Sequence, residues 1–295
     1  MNGKLQRWQL LARLLLSAVV FAAAWRAGAP LLGWVLAGLC FWLHCLVMGG
    51  LFASLRQINR AAAPGRWTLL RAWGGEVIAC ERVFAWQQPF AEHACADYVP
   101  ATSPQRGVLL LHGFTCNRGI WNSWRQRLTE AGHPHAAPSL EPAFGSIEAY
   151  AEAIEAAVQR LTTCTGQPPL IVAHSMGGLA VRAWWRRFGA GRSLPRIVCL
   201  GTPHRGTTMA RFSFTTNSRQ MRQQSDWLGA LAASEPDGFG AQFDCYYSNC
   251  DQIVCPADAA VLPGSRAIAL PATGHLAMVF HPRVFADVLR LLRQR

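Results

Sequence analysis

Charge is scarce in this chain of 295 residues: 15% of the side chains are Asp, Glu, Lys or Arg, where a soluble domain carries about 25%. The shortage is local. The first fifty or so residues are almost entirely apolar, and beyond them the composition is that of a globular domain. Acids are the scarcer sign, 16 against 28 bases, leaving a formal net charge of +12. Such an excess suits nucleic acid, anionic lipid headgroups or acidic substrates. The bases are nearly all Arg and are scattered, the nearest cluster being Arg182, Arg186 and Arg187. No nucleic-acid-binding module is legible, so no nucleic-acid partner is expected and attraction to a membrane surface is preferred. Metal-binding spacing is missing as well. Among the 10 cysteines, Cys245, Cys250 and Cys255 fall five apart, which matches no zinc motif. The reading is no metal and buried free thiols, with a disulfide among them as the alternative. There is no internal repeat, no low-complexity tract, and no clean small-x-small cleavage site of the kind that ends a signal peptide.

What the first fifth has is long apolar runs. Trp8 to Trp25 reads WQLLARLLLSAVVFAAAW and Pro30 to Phe52 reads PLLGWVLAGLCFWLHCLVMGGLF. Each approaches the roughly 20 residues that cross a hydrocarbon core, and aromatic residues stand at the ends as in interfacial belts. Arg13, inside the first run, has to reach toward an interface. The turn Arg26-Ala-Gly-Ala-Pro30 joins the runs, so the pair reads as a transmembrane helical hairpin. Lys4, Arg7 and Arg13 precede it and Arg56, Arg60, Arg66 and Arg71 follow it, with only Arg26 in the turn. By the positive-inside rule both ends, and everything downstream, are expected on the cytoplasmic side. The organisation is then a membrane anchor over residues 1–55 (helices of about 8–25 and 30–52), a connector over 56–106, and a domain over 107–295.

That domain alternates short buried strands with helices. Strands are expected at Gly107–Leu111, Pro169–Ala173, Pro195–Leu200, Gln242–Ser248 and Arg266–Leu270. Helices are expected at Trp121–Ala131, Ile147–Thr163, Gly177–Phe188 and Pro282–Leu292. The alternation predicts an α/β domain, a mostly parallel sheet with helices on both faces.

Strand, then Ala173-His174-Ser175-Met176-Gly177-Gly178, then helix is the arrangement of a nucleophile elbow, with small residues where the backbone must pass closely. Ser175 is the candidate nucleophile. His112-Gly113-Phe114 follows the first clear strand, and Gly113 lets the backbone turn an N–H inward. Phe114 and Met176 are the candidate oxyanion donors, with His112, Gly113, His174, Gly177 and Gly178 as supporting positions. His275, after the last strand, is the candidate base. The acid belongs between Ser and His in chain order, and Asp251 fits best, ahead of Asp258 and Asp244.

With these residues the chain resembles bacterial lipases and esterases of the α/β-hydrolase superfamily over roughly residues 107–290. The most specific pieces are His112-Gly-Phe, Ala173-His-Ser-Met-Gly-Gly178 and Gly201-Thr-Pro-His-Arg-Gly-Thr207. Ala173 departs from the more common Gly, and the N-terminal hairpin departs from secreted lipases. The resemblance implies an α/β-hydrolase fold and a candidate lid over 208–235, with an amphipathic helix at Asn217–Leu231. It also implies cleavage of carboxylic esters, here lipid-like acyl esters, without a cofactor. For a bacterial protein the anchor would sit in the inner membrane. An acyltransferase or thioesterase on the same triad is the alternative reading, and a non-catalytic membrane-associated relative is another.

Overall fold

The computed structural model describes residues 2–294. Chain order begins with three apolar helices: α1 (Asn2–Arg26), α2 (Pro30–Phe41) and α3 (Leu43–Ile58). Then come α4 (Arg66–Cys80), a π-helical turn over Glu81–Gln87, and the single turn α5 (Gln88–Phe90). The α/β part follows: β1 (Val108–Leu111), α6 (Asn122–Glu130), β2 (His135–Ala136), α7 (Ala151–Thr165), β3 (Leu170–His174), α8 (Met176–Phe188) and β4 (Ile197–Leu200). After it come α9 (Thr216–Gln220), α10 (Asp226–Ala233), β5 (Phe243–Tyr247), β6 (Arg266–Ala269) and α11 (Pro282–Arg293).

The six strands form one sheet in the order β2-β1-β3-β4-β5-β6, every pairing parallel. The five expected strands are all present. The sixth, β2, is only two residues long, too short for any periodicity to announce it. The strands β1, β3 and β4 are buried at every position, as the inner strands of a doubly covered sheet must be. Alternate residues feed two cores. Leu109, Leu111, Ile171, Ala173, Ile197 and Cys199 pack with Ile154 and Leu161 of α7 and Leu179 and Trp184 of α8. Val108, Leu110, Leu170, Val172, Val198 and Leu200 pack with Trp124 of α6 and Val284, Phe285 and Val288 of α11. The result is an α/β-hydrolase fold. All ten cysteines are free.

The apolar N-terminal segment differs from the expected hairpin. Helix α1 has 25 residues, about 37 Å at 1.5 Å per residue, and by length and composition is the one described helix able to cross a membrane alone. It starts earlier than expected because its polar first turns are tied to the domain. Asn2 Nδ2 donates to Cys116 O at 2.7 Å, Gln6 Nε2 to Thr115 O at 3.1 Å, and Arg7 Nε to Pro89 O at 2.6 Å. The run read as one helix over 30–52 is two helices, α2 and α3, bent by 58° at Trp42. The bend has a packing cause. Met48, Phe52 and Leu55 of α3 are buried against Leu69 and Ala72 of α4 and against Cys250 and Cys255 of the domain, so α3 turns away from α2 to lie on the α/β part. Residues 56–106, expected as a connector, supply α4 and the π-helical turn, which pack on that part too: Ala79 and Val83 belong to its second core.

Candidate active site

Every predicted site residue lies at the carboxyl ends of the strands, the edge where open α/β sheets bind ligands. Ser175 separates β3 from α8 with φ 54° and ψ −127°, a conformation costly for a residue with a Cβ and characteristic of strained functional turns. Three contacts over-determine it. Its N–H donates to Leu200 O at 2.8 Å, its carbonyl accepts from Thr202 Oγ1 at 2.9 Å and from Gly178 N at 3.1 Å. Gly113 is required by proximity, since a Cβ there would stand 2.8 Å from Ser175 Cβ. Gly177 and Gly178 are equally tight, a Cβ meeting Leu111 O at 2.8 Å in one case and Thr202 Oγ1 at 2.2 Å in the other. The first turn of α8 aims its free N–H groups, Met176 included, at this edge.

The loop carrying Phe114 is fixed by His112. Its Nδ1–H donates to Gly113 O at 2.9 Å and its Nε2 accepts from Leu140 N at 2.8 Å, which sets the neutral tautomer. Burial pushes this imidazole down to about 4, the Gly113 hydrogen bond only partly opposing it. His174 is also buried and held well below the ordinary histidine value, by desolvation first and by the neighbouring His275 second. Neither ring competes as a base at neutral pH by taking up charge.

Asp251 and His275 meet. Asp251 Oδ2 accepts from His275 Nδ1–H at 2.8 Å, while Asp251 Oδ1 takes the N–H groups of Ile253 and Val254, both at 2.8 Å. Burial alone would lower the His275 pKa. The Asp251 charge, its hydrogen bond and the charge of Glu76 outweigh it and hold His275 above its ordinary value. The other two acids are placed elsewhere: Asp244 is buried between Arg196 and Arg266, and Asp258 is exposed beside Arg205. Ser175 and His275 line one cavity of about 340 Å³; among the described residues no hydrogen bond joins the Ser175 hydroxyl to His275.

Two residues beyond the predicted set shape this site. Gly201 has φ 57°, and a Cβ there would lie 2.9 Å from Asp251 Oδ2 and 3.0 Å from His275 Nδ1, so the hydrogen-bonded Asp251–His275 pair needs glycine at that position. Glu76 of α4 is the larger omission. Its Oε1 accepts from Gln252 Nε2 at 2.6 Å and Leu276 N at 2.9 Å, and its Oε2 from Ala277 N at 2.9 Å. Gln252 Oε1 in turn accepts His275 N at 3.2 Å. A carboxylate from the N-terminal third thus caps the short helix that follows His275 and fixes the loop bearing it. Burial raises the Glu76 pKa, its hydrogen bonds opposing the shift. The one available signal was a lone acid in the apolar stretch Trp73–Cys80, which burial would have to partner.

The lining of the cavity does not draw on the candidate lid. Residues 208–235 contribute nothing to its lining, and the helix expected at Asn217–Leu231 is instead α9 and α10 with a break between. The lining above Ser175 comes from Val47, Met48 and Leu51 of α3, Glu76 and Cys80 of α4, and Phe84. Among the described residues, one group of side chains has metal-like clustering: His44, Cys45 and Glu81 hold donor atoms within 4.8 Å of one another. Glu81 is already satisfied there, by His44 Nε2 at 2.6 Å and Arg13 Nη2 at 3.5 Å.

Residues 108–251 match the alpha/beta hydrolase family. The chain superimposes on lipase BlEst2 of Bacillus licheniformis in its mature form with a TM-score of 0.55 and 14% identity, covering 67% of this chain and 96% of that one. It superimposes on lipase B of Aspergillus fumigatus with a TM-score of 0.57 and 16% identity, covering 68% of this chain and 57% of that one. At such identities the likeness is one of fold. No curated protein matches the chain.

Proposed function

We propose that the protein is a serine hydrolase that cleaves carboxylic esters through an acyl-enzyme. The observation that carries this reading is the 2.8 Å hydrogen bond from His275 to buried Asp251, in the same cavity as a serine held at a strained strand-to-helix turn. Ser175 Oγ attacks the ester carbonyl as His275 Nε2 takes its proton, a contact that tightens only when substrate aligns the pair. The N–H groups of Met176 and Phe114 hold the oxyanion. His275 then passes the proton to the departing alcohol, and Asp251 stabilises the imidazolium and fixes its tautomer. Water repeats the sequence on the acyl-enzyme and releases the acid. That two solved structures of the same fold are lipases supports the ester reading.

The substrate we propose is a lipid-like ester. The cavity wall is mainly apolar and is built by helices continuous with the exposed leucines and tryptophans of α1 and α2. With its 12 residues, α2 covers only about 18 Å, short of the roughly 30 Å hydrocarbon core, so we place α1 across the bilayer, α2 turning back into it and α3 at its surface. Flanking arginines put the domain on the cytoplasmic face of the inner membrane.

The test is turnover of p-nitrophenyl esters by the full chain in detergent. Hydrolysis abolished by Ser175→Ala supports the reading; undiminished hydrolysis by that variant rejects it. A reporter fused to the C-terminus tests the topology, an extracytoplasmic signal being the result that excludes it.

A further inference from the structure

A second cavity of about 700 Å³ lies between α1 and the α2–α3 bend, and it shares three wall residues, His44, Val47 and Phe84, with the cavity over Ser175. On the α1 side its wall is a single helical stripe that includes Leu10, Arg13 and Leu16, positions three apart on one face. The opposite face of α1 turns Leu14, Leu15 and Val19 outward, while Leu16, at the rim of the groove, is 52% exposed. A groove that abuts the cavity over Ser175 through three shared wall residues, and whose outer wall is a membrane-type helix, fits a flexible hydrocarbon chain.

The polar groups in it agree. Arg13 is the cation of this groove, and its charge is spent within the protein: Nη2 pairs with Glu81 at 3.5 Å, Nε donates to Phe41 O at 3.2 Å, and the guanidinium lies over the Phe41 ring at 4.4 Å. His44 closes on the same carboxylate at 2.6 Å. A phosphate headgroup would have to displace Glu81 from both. A hydrocarbon chain needs nothing from them and gains only from the apolar wall.

We propose that this groove is the acyl-chain site of the enzyme: a long acyl ester slides in from the bilayer between α1 and α3, and its chain stays there while its carbonyl reaches Ser175. The inference rests on ester hydrolysis at Ser175. It makes the N-terminal helices a specificity element as well as an anchor, so that long chains are preferred because only they fill the groove.

The experiment compares p-nitrophenyl palmitate with p-nitrophenyl butyrate, using the full chain in detergent micelles. Two variants narrow the groove from α1 away from the Ser175 cavity, Ala12→Trp and Leu16→Trp, and Leu15→Trp on the exposed face serves as control. Labelling of Ser175 by a fluorophosphonate reports that each variant is folded. The proposal expects the palmitate-to-butyrate ratio of kcat/KM to fall about tenfold or more in either groove variant, the size of discrimination that an apolar pocket supplies, and to stay at the wild-type value in the control. A ratio unchanged in both labelled groove variants, or a loss equal for the two esters, overturns it. Absence of turnover and labelling in the wild type would instead refute the underlying hydrolase reading.

Discussion

Replacing Glu76 by Gln perturbs the proposed catalytic histidine from a helix outside the family-matched segment. Three donors converge on this buried carboxylate, Gln252 Nε2 and the N–H groups of Leu276 and Ala277. Glutamine keeps the shape but has one acceptor oxygen, so its NH₂ must face one of these donors. A buried N–H left without a partner costs about 1–3 kcal/mol. If that cost is relieved by shifting the His275 loop, kcat falls, about tenfold for each 1.4 kcal/mol carried into the transition state. A second signature separates positioning from mere loss of stability. His275 must be neutral to take the serine proton, so activity is lost as pH falls through its pKa. In the wild type that pKa is raised, which places the acidic limb of kcat/KM above the ordinary histidine value of 6.5. The Glu76 charge is one of the causes raising it, so in Glu76→Gln the limb moves to lower pH. The assay is the pH profile of kcat/KM for a soluble p-nitrophenyl ester, with the full chain in detergent. A lower kcat with an unmoved limb would reduce Glu76 to scaffolding, and an unchanged profile would refute the argument.

Asp251→Asn preserves the buried shape but removes the charge and disturbs the His275 tautomer, so kcat should drop by a factor on the order of 10⁴ in single-turnover or steady-state assays; a loss under tenfold would point to another acid. Gly201→Ala places a Cβ 2.9 Å from Asp251 Oδ2 at a φ of 57°, and the displaced acid–base pair should lose on the order of a hundredfold in kcat with the circular dichroism spectrum retained. Wild-type rates in that variant would mean the pair tolerates the displacement.

The parts of this molecule legible in the sequence are those whose causes are local. Val108–Leu111, Leu170–His174 and Ile197–Leu200 announce themselves as inner strands because both their faces are buried. Ser175 is legible because the elbow packs strand, small residues and helix into a few positions, and Asp251 and His275 follow from chain order after strands. What escaped depends on distance along the chain. Glu76 meets the N–H of Leu276 across 200 positions, and no pattern links them. The bend at Trp42 is invisible because the residues on both sides are equally apolar, and only the packing of Phe52 and Leu55 on α4 decides where the helix turns. The same packing brings Val47, Met48 and Leu51 of α3 to the wall of the cavity that Ser175 lines.

The most direct test of Ser175 as the nucleophile is covalent labelling of the detergent-solubilised full chain by a fluorophosphonate, followed by peptide mapping. The proposal expects one adduct, on the peptide containing Ala173-His-Ser-Met-Gly177, absent from Ser175→Ala and slowed in Asp251→Asn. Adducts at another serine, or labelling of Ser175→Ala at the wild-type rate, would contradict it.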